Sequence, residues 1–532
     1  MAINNIAKKG DTDIFPFPIE NAMFYDKPME AKDILDEMDK KFDEYLQNGG
    51  VDCIKACIPV GQTGFRLATM IDPAWNALYL ARVLEIADQI EQKRIPVDDN
   101  TIFSYRLKYD EESGSLFDLD VTWKDYYTNA RIVAKKLDYV ITFDISDFYY
   151  RVYHERLKNI LIDYIGADNL TVNRIMSILS GLSAGNDPYG LPVGGNASRI
   201  LAEALLTKTD DFMKNKGISF CRFVDDYIVF ADSKGSAYSI LNDCADFFLR
   251  YLGLSLQKNK TSILKSKEFI RRSKTLFDEG GGKNDARNSL LKLNMNLDPY
   301  SVIADDNLRQ LQTQLRGIDI ISLLKSECRK SKINHLFGKK LVRTFTVIDD
   351  DVISRAFEIV SQNFEKLYPI FPVIMRATYK NLHRCNKKTI KLFVDKLLEQ
   401  FDEETYIIQT DNNASYAIRA LSSVENGPRI GQSFEKLFEK YTNKHSYSSD
   451  LVKVNLVYAM INSGNSRWII NKSHSNLSNW ERRALVAASS FLGDDGRGWK
   501  MKHERHFTPL DKMVEAWVSE KKSIKKDWKL PL

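Results

Sequence analysis

The 532-residue chain predicts an α+β architecture, a mixed strand-and-helix region followed by an all-α helical region. Three observations carry this. Residues 131–276 alternate β-rich apolar runs with stretches of helical periodicity. The glycine triplet Gly280 to Gly282 sits among polar residues in "DEGGGKNDARN" and marks a flexible joint. Beyond it apolar residues recur at spacings of three and four with no strand signal, as at Leu308, Leu311, Leu315 and Ile318.

Three segments follow in order. In residues 1–130 helical patterns mix with turn-rich pieces such as "IPVGQTG". Residues 131–276 form the strand–helix core. There "LDYVITFDIS" is a β-rich run, and "FYYRVYHERLKNILIDYI" after it has helical periodicity. "LPVGGNASRILAEALL" is a glycine-marked loop that opens into a helix, with Ala202, Leu205 and Leu206 at helical spacing. "FCRFVDDYIVFADS" (220–233) has the pattern of two short strands with a turn near the acids, a hairpin. Residues 285–532 are a series of short amphipathic helices, among them "TIKLFVDKLLEQF" and "LVKVNLVYAMI", which suggests an α-solenoid or bundle.

An apolar content of 44% with 28% charged residues is that of a soluble globular protein. No apolar run approaches the roughly 18 residues of a bilayer span, so no membrane association is expected. The start "MAINNIAKKGDTDIF" lacks the apolar core of a signal peptide, which places the chain in the cytoplasm. Of six scattered cysteines only Cys53 and Cys57 are close, on a spacing that suits one helix face; without a second pair or a nearby histidine they read as buried thiols. The net charge of +5 is unevenly spread. Lys258, Lys260, Lys265, Lys267, Arg271, Arg272 and Lys274 face the single acid Glu268, and the tail "SEKKSIKKDWKL" is basic too, a pattern that fits a polyanion partner.

Asp225 and Asp226 stand between two runs that would otherwise make buried strands. A carboxylate pair there is costly to desolvate without a cation. Asp144 ends the apolar run "YVITFD", where strand gives way to helix. If that strand pairs beside the hairpin, three carboxylates converge, and their natural partner is a hard divalent cation such as Mg²⁺, for which Mn²⁺ can substitute. Taken singly, "DD" is ordinary turn chemistry and Asp144 an ordinary helix cap. The combination, with the glycine-rich loop between, favours catalysis.

Those stretches carry a resemblance. "FDISDFY" (143–149), "GLPVGGNASRILAE" (190–203) and "FVDD" (223–226) resemble motifs A, B and C of a reverse transcriptase palm. "GLSLQKNKT" (253–261) resembles motif D, and "FSYRL" (103–107) resembles the fingers segment that holds the incoming nucleotide. The likeness covers roughly residues 60 to 275. "NLDPYS", "LRGIDIISLLKSE" and "WERRALVAASSFLGDDGRGW" resemble the helical region of bacterial defence-associated reverse transcriptases, the abortive-infection enzymes and their relatives. The resemblance implies a right-hand fingers–palm polymerase whose helical region, 285–532, replaces the thumb.

It also implies roles. Asp144 and Asp225 would bridge two Mg²⁺ ions, with the Ile145 carbonyl as a further ligand and Asp226 as a weaker contributor. Lys260 would protonate the departing pyrophosphate. Arg106 would hold the triphosphate, with Lys108 beside it. Tyr149 would be the steric gate that rejects a 2′-hydroxyl, while Pro192, Gly194 and Phe223 would line the nucleotide. Val193 stands where the commoner family form has Gln, which puts conventional template contacts in doubt. The implied function is DNA synthesis from deoxynucleoside triphosphates in antiphage defence. The resemblance leaves open template-independent synthesis primed on one of the chain's own tyrosines, copying of a dedicated non-coding RNA, and a homo-oligomer. Two alternatives stand beside it: an RNA-synthesising polymerase, against which Tyr149 speaks, and a catalytically silent RNA-binding scaffold, which expects eroded acids.

Overall fold

The computed structural model describes all residues except 11–13, 167–168, 184–186, 277–285, 294–310, 316, 425–427, 443–448 and 465–476. The glycine joint, Leu308 and Trp468 lie outside the described residues. Residues 1–53 with 68–277 make one compact unit, and residues 54–67 with 278–532 a second.

In the first unit, helix α1 (Pro73–Gln92) starts where Asp72 accepts from the Ala74 and Trp75 amides at 3.0 and 3.4 Å, with Pro73 in the first turn. It packs against a helix that follows the glycine loop, so residues before 130 and the strand–helix core share one interior. A small sheet pairs β3 (Leu107–Asp110) with β4 (Ser115–Phe117), whereas most of the paired strands β1 (Cys53–Val60) and β2 (Gly64–Ile71) belongs to residues 54–67 of the second unit. Helix α2 (Trp123–Ala134) has a capping box between Thr122 and Asp125 and leads into the central sheet.

That sheet contains β5 (Tyr139–Asp144), β6 (Phe220–Phe223), β7 (Asp226–Ala231) and β8 (Ser262–Lys265), in the order β6-β7-β5-β8 with antiparallel neighbours. Between β5 and β6 runs helix α3 (Asn196–Asn215), the partner of α1; β7 is followed by α4 (Lys234–Phe247) and β8 by α5 (Ser266–Leu276). Strand period sorts the sheet into two faces. Val140, Cys221, Ile228 and Phe230 pack with Tyr126, Ala130 and Ala134 of α2 and Phe269 of α5. On the other face Phe143 and Tyr227 stack at 4.9 Å, edged by Phe248. β5 pairs with β7 so that Asp144 lies opposite Asp226.

In the second unit, α6 (Phe371–Asn381) packs on α7 (Asp411–Ser422), α7 on α8 (Ser449–Asn462), α8 on α9 (Asn479–Ser489) and α9 on α10 (Pro509–Ile524). α7 and α8 are buried on nearly all sides rather than along one apolar face. Trp480 and Trp499 are buried core residues. One expectation is corrected here. Cys53 and Cys57 lie on β1 rather than on a helix, where Cys57 is exposed and Cys53 half-buried; the other four thiols are buried. Four residues apart also means one face of a strand, so spacing alone does not choose between the two elements. Among the described residues no helix is long and apolar enough to cross a membrane.

Candidate active site

The hairpin β6–β7 turns through Val224 and Asp225. Val224 has φ +55°, a left-handed conformation that costs a β-branched residue energy and must be held by its surroundings. The turn brings Asp225 and Asp226 to the end of β5, beside Asp144. Asp144 is 6% exposed. One of its carboxylate oxygens bonds the Lys260 ammonium, and the other is buried with no hydrogen-bond partner.

The electrostatics are those of acids short of cation. Burial pushes the Asp225 carboxyl up to about 8, and the charges of Asp144 and Asp226 push the same way. Asp226 rises to about 6, again through burial first and Asp144 second, with Lys260 opposing. Burial pulls the Lys260 ammonium down, but its bond to Asp144 and the nearby Asp226 and Asp225 charges outweigh this and leave it raised. A divalent cation would relieve the same repulsion. The unpartnered Asp144 oxygen and the two strained acids therefore fit Mg²⁺. Among the described residues no group of three or more His, Cys, Asp or Glu side chains is arranged to hold a metal ion. A Mg²⁺ held by one or two carboxylates plus substrate phosphate oxygens does not require one.

A cavity of about 290 Å³ opens beside these acids, with Asp144, Asp226 and Lys260 on one wall and Tyr127, Phe269 and Arg272 on another. The Tyr126 hydroxyl donates to the Asp226 carbonyl at 3.1 Å, which fixes the strand end against α2. Ile145 is buried and bridges Leu256, while the Asp144 carbonyl accepts from the Gln257 amide at 2.7 Å. These bonds tie the segment that bears Lys260 to the strand that bears Asp144.

Tyr149 is half-buried between a buried Phe148 and an exposed Tyr150. Burial raises its hydroxyl well above the usual tyrosine value, Tyr105 and Asp225 add to this, and Arg199 opposes. The Tyr149 carbonyl accepts from the Leu191 amide at 2.7 Å, joining this segment to the glycine loop. In that loop Pro192 is buried and Gly194 takes φ +100°, open only to glycine at ordinary cost. Phe223 is half-buried and packs near Tyr105 at 6.5 Å.

The expectation for Arg106 is corrected. Arg106 is 3% exposed, and its guanidinium bonds Glu91 at 3.0 Å and the carbonyls of Ile95 and Ile102 at 2.5 and 3.3 Å. A fork occupied by three protein acceptors is not offered to a triphosphate. Lys108 is exposed and pairs with Asp118 and Asp120 at 3.2 and 3.4 Å. The spacing "FSYRLK" shows cations but not the acceptors that claim them. Arg199 stacks over the Tyr105 ring at 5.1 Å. Residues that sequence reasoning missed are Arg94, Glu203, Asp210 and Arg222, which form a buried ionic cluster.

Acids that converge on one hairpin end, with an ammonium against them and a cavity alongside, have the chemistry to hold a divalent cation beside phosphate oxygens. Residues 85–272 match the family model described as reverse transcriptase (RNA-dependent DNA polymerase). That matched stretch holds all three acids and Lys260. No curated protein matches the chain. Among solved structures it is similar to apo telomerase from Candida tropicalis, at 12% identity and a TM-score of 0.33 over 79% of this chain and 72% of that one. It is also similar to Candida albicans telomerase in complex with a fragment of telomeric RNA, at 10% identity and a TM-score of 0.29 over 79% and 70%. A C-terminally truncated Candida tropicalis telomerase matches at 14% identity and a TM-score of 0.29, over 44% of this chain and 55% of that one. This chain thus spans about half the length of that relative. Matches this loose fix neither substrate nor partner.

Proposed function

We propose that the chain is a DNA polymerase of reverse-transcriptase type that adds deoxynucleotides by in-line phosphoryl transfer, with Asp144 and Asp225 as the principal ligands of Mg²⁺ or Mn²⁺. The observation that carries the reading is Asp144 beside the Asp225–Asp226 turn, with one carboxylate oxygen on Lys260 and the other buried without a partner. When bound, divalent ions activate the attacking hydroxyl and neutralise the leaving oxygen. Asp144 and Asp225 hold and orient them, Asp226 adds charge, and the buried Ile145 carbonyl is a further ligand. Lys260, largely exposed and paired with Asp144, would give a proton to the departing pyrophosphate. Replacing it with Ala is expected to lower kcat about 10²-fold, with a small change in KM for deoxynucleotide, read by steady-state incorporation. An unchanged kcat would remove the proton-donor role.

Tyr149 is the sugar gate. Its partial burial beside Asp225 supports a ring that leaves no room for a 2′-hydroxyl. Tyr149→Val is expected to raise ribonucleotide over deoxynucleotide use by roughly tenfold or more, measured as the ratio of kcat/KM for matched substrates. No change in that ratio would move the gate elsewhere and reopen RNA synthesis. Pro192, Gly194 and Phe223 complete the nucleotide pocket, and the 285–532 helices stand in place of a thumb. An antiphage setting, a dedicated non-coding RNA and priming on a tyrosine of the chain rest on the family resemblance.

The test uses purified protein, Mg²⁺ and labelled deoxynucleotides, with and without template-primer. Label that depends on template-primer and vanishes in Asp225→Ala establishes conventional copying. Label formed without added nucleic acid that shifts on protease digestion establishes priming on the protein. No incorporation by folded protein supplied with its co-purifying RNA would favour the RNA-binding scaffold.

A further inference from the structure

Arg222 is fully buried three residues before Asp225, and no step described so far uses it. Its Nε and one terminal nitrogen grip both Asp210 oxygens at 2.8 and 2.6 Å, and the same nitrogen reaches Glu203 at 3.0 Å. Its remaining nitrogen donates to the Val224 carbonyl at 3.1 Å. Val224 is the left-handed residue of the catalytic turn. Its cost is met by a bond from a guanidinium that α3 holds in place through two carboxylates. The backbone of Arg222 is fixed as well, its amide donating to the Thr101 carbonyl at 2.8 Å and its carbonyl accepting from the Phe103 amide at 3.0 Å.

The arrangement is repeated on the neighbouring segment. Tyr105 is also left-handed, at φ +45°, and its carbonyl accepts from buried Arg94 at 2.9 Å. Arg94 reaches the same Glu203 oxygen at 2.8 Å, and the Ser104 hydroxyl donates to the other at 2.5 Å. One carboxylate thus anchors two arginines, each pinning the carbonyl of a strained residue. One of these residues precedes Asp225, and the other packs against Phe223 and Arg199. Glu91 pairs with Arg94 and with Arg106, so three arginines and three acids balance in charge, which helps the cluster stay buried.

We infer that Arg222 is a positioning residue that, through its bond to the Val224 carbonyl and its anchorage on Glu203 and Asp210, sets the direction of the Asp225 carboxylate toward the metal and the incoming nucleotide. The inference rests on the polymerase reading of the acids. A lysine in its place keeps the charge but has one ammonium for acceptors that the planar fork serves simultaneously.

The test compares the full-length wild type with Arg222→Lys and with Arg174→Lys, which loosens an arginine–Asp39 contact remote from the acids. Nucleotide incorporation gives kcat and KM, and Mn²⁺ titration followed by electron paramagnetic resonance gives metal affinity without reference to activity. All are measured at a temperature where circular dichroism shows each variant native. For Arg222→Lys, kcat and Mn²⁺ affinity are each expected to fall about 10- to 100-fold, with KM for deoxynucleotide within about threefold, while Arg174→Lys leaves all three near wild type. Arg222→Lys with wild-type kcat and Mn²⁺ affinity, or falling no further than Arg174→Lys, overturns the inference. Should Arg222→Lys fail to fold, Glu203→Gln decides in its place. It is expected to lower kcat and Mn²⁺ affinity about tenfold, and no fall overturns the inference. A wild type that binds Mn²⁺ yet incorporates nothing would sink the polymerase reading alone, and the Mn²⁺ comparison would still decide for Arg222. A wild type that binds no Mn²⁺ overturns both.

Discussion

Asp225→Asn is expected to reduce nucleotide incorporation by at least about 10³-fold and, in the same protein, to raise stability above neutral pH when metal is withheld. The activity loss follows from removing a ligand that stabilises several kcal/mol of developing charge. The stability gain follows from linkage. The Asp225 carboxyl titrates near 8 in the folded chain because burial and the charges of Asp144 and Asp226 disfavour its ionised form. Unfolded, it titrates in the ordinary range of about 4. Between those values the folded state binds more protons than the unfolded state, so stability falls as pH rises through the window. An amide does not ionise and escapes the fall. Thermal unfolding in chelator at about pH 6 and about pH 9 should show a wild-type midpoint that drops more steeply than the variant's. Added Mg²⁺ should close the gap by stabilising the wild type. Parallel pH profiles for the two proteins would mean that Asp225 is not the strained acid.

Glu203→Ala is expected to cost about 3–5 kcal/mol of folding free energy, measured by urea denaturation. Glu203 is 1% exposed and takes three donors, from Arg94, Arg222 and Ser104. Both arginines hold its carboxyl below the usual range against the pull of burial. Removing it leaves two buried guanidiniums with a deficit of negative charge, the costly way to break such a cluster. The carbonyls of Tyr105 and Val224 would lose their grip together. A loss under about 1 kcal/mol would show that water enters and serves the arginines instead.

The strands and acids of the first unit were legible because each announces itself locally. "YVITFD" and "FVDDYIVF" place charged residues against apolar runs with period two, so strand, turn and acid are visible within a few positions. Their pairing, with Asp144 opposite Asp226, was conditional in the sequence and is realised in the sheet. Arg106 was misjudged for the converse reason. Its spacing on "FSYRL" said nothing of Glu91 or of the carbonyls of Ile95 and Ile102, which take the guanidinium inward. Arg222 was passed over although it stands inside the most scrutinised stretch, because its partners Asp210 and Glu203 belong to a helix that reads as ordinary and amphipathic. Cys57 was assigned to the interior by residue type, and only the short sheet that carries it shows otherwise.

The register of β5 on β7 has a consequence for how the gene encoding this chain can change. The same two-residue alternation that seats Val140 and Ile228 in the core carries Asp144 to Asp226. Gain or loss of a single codon within residues 139–144 would turn every later side chain of the strand to the opposite face, exposing apolar groups and removing an acid from the site at once. Substitutions along this strand can be graded in effect, whereas changes of length are all or nothing. Variation in length among descendants of this sequence should therefore collect in the turns, where a codon can come or go without moving an acid.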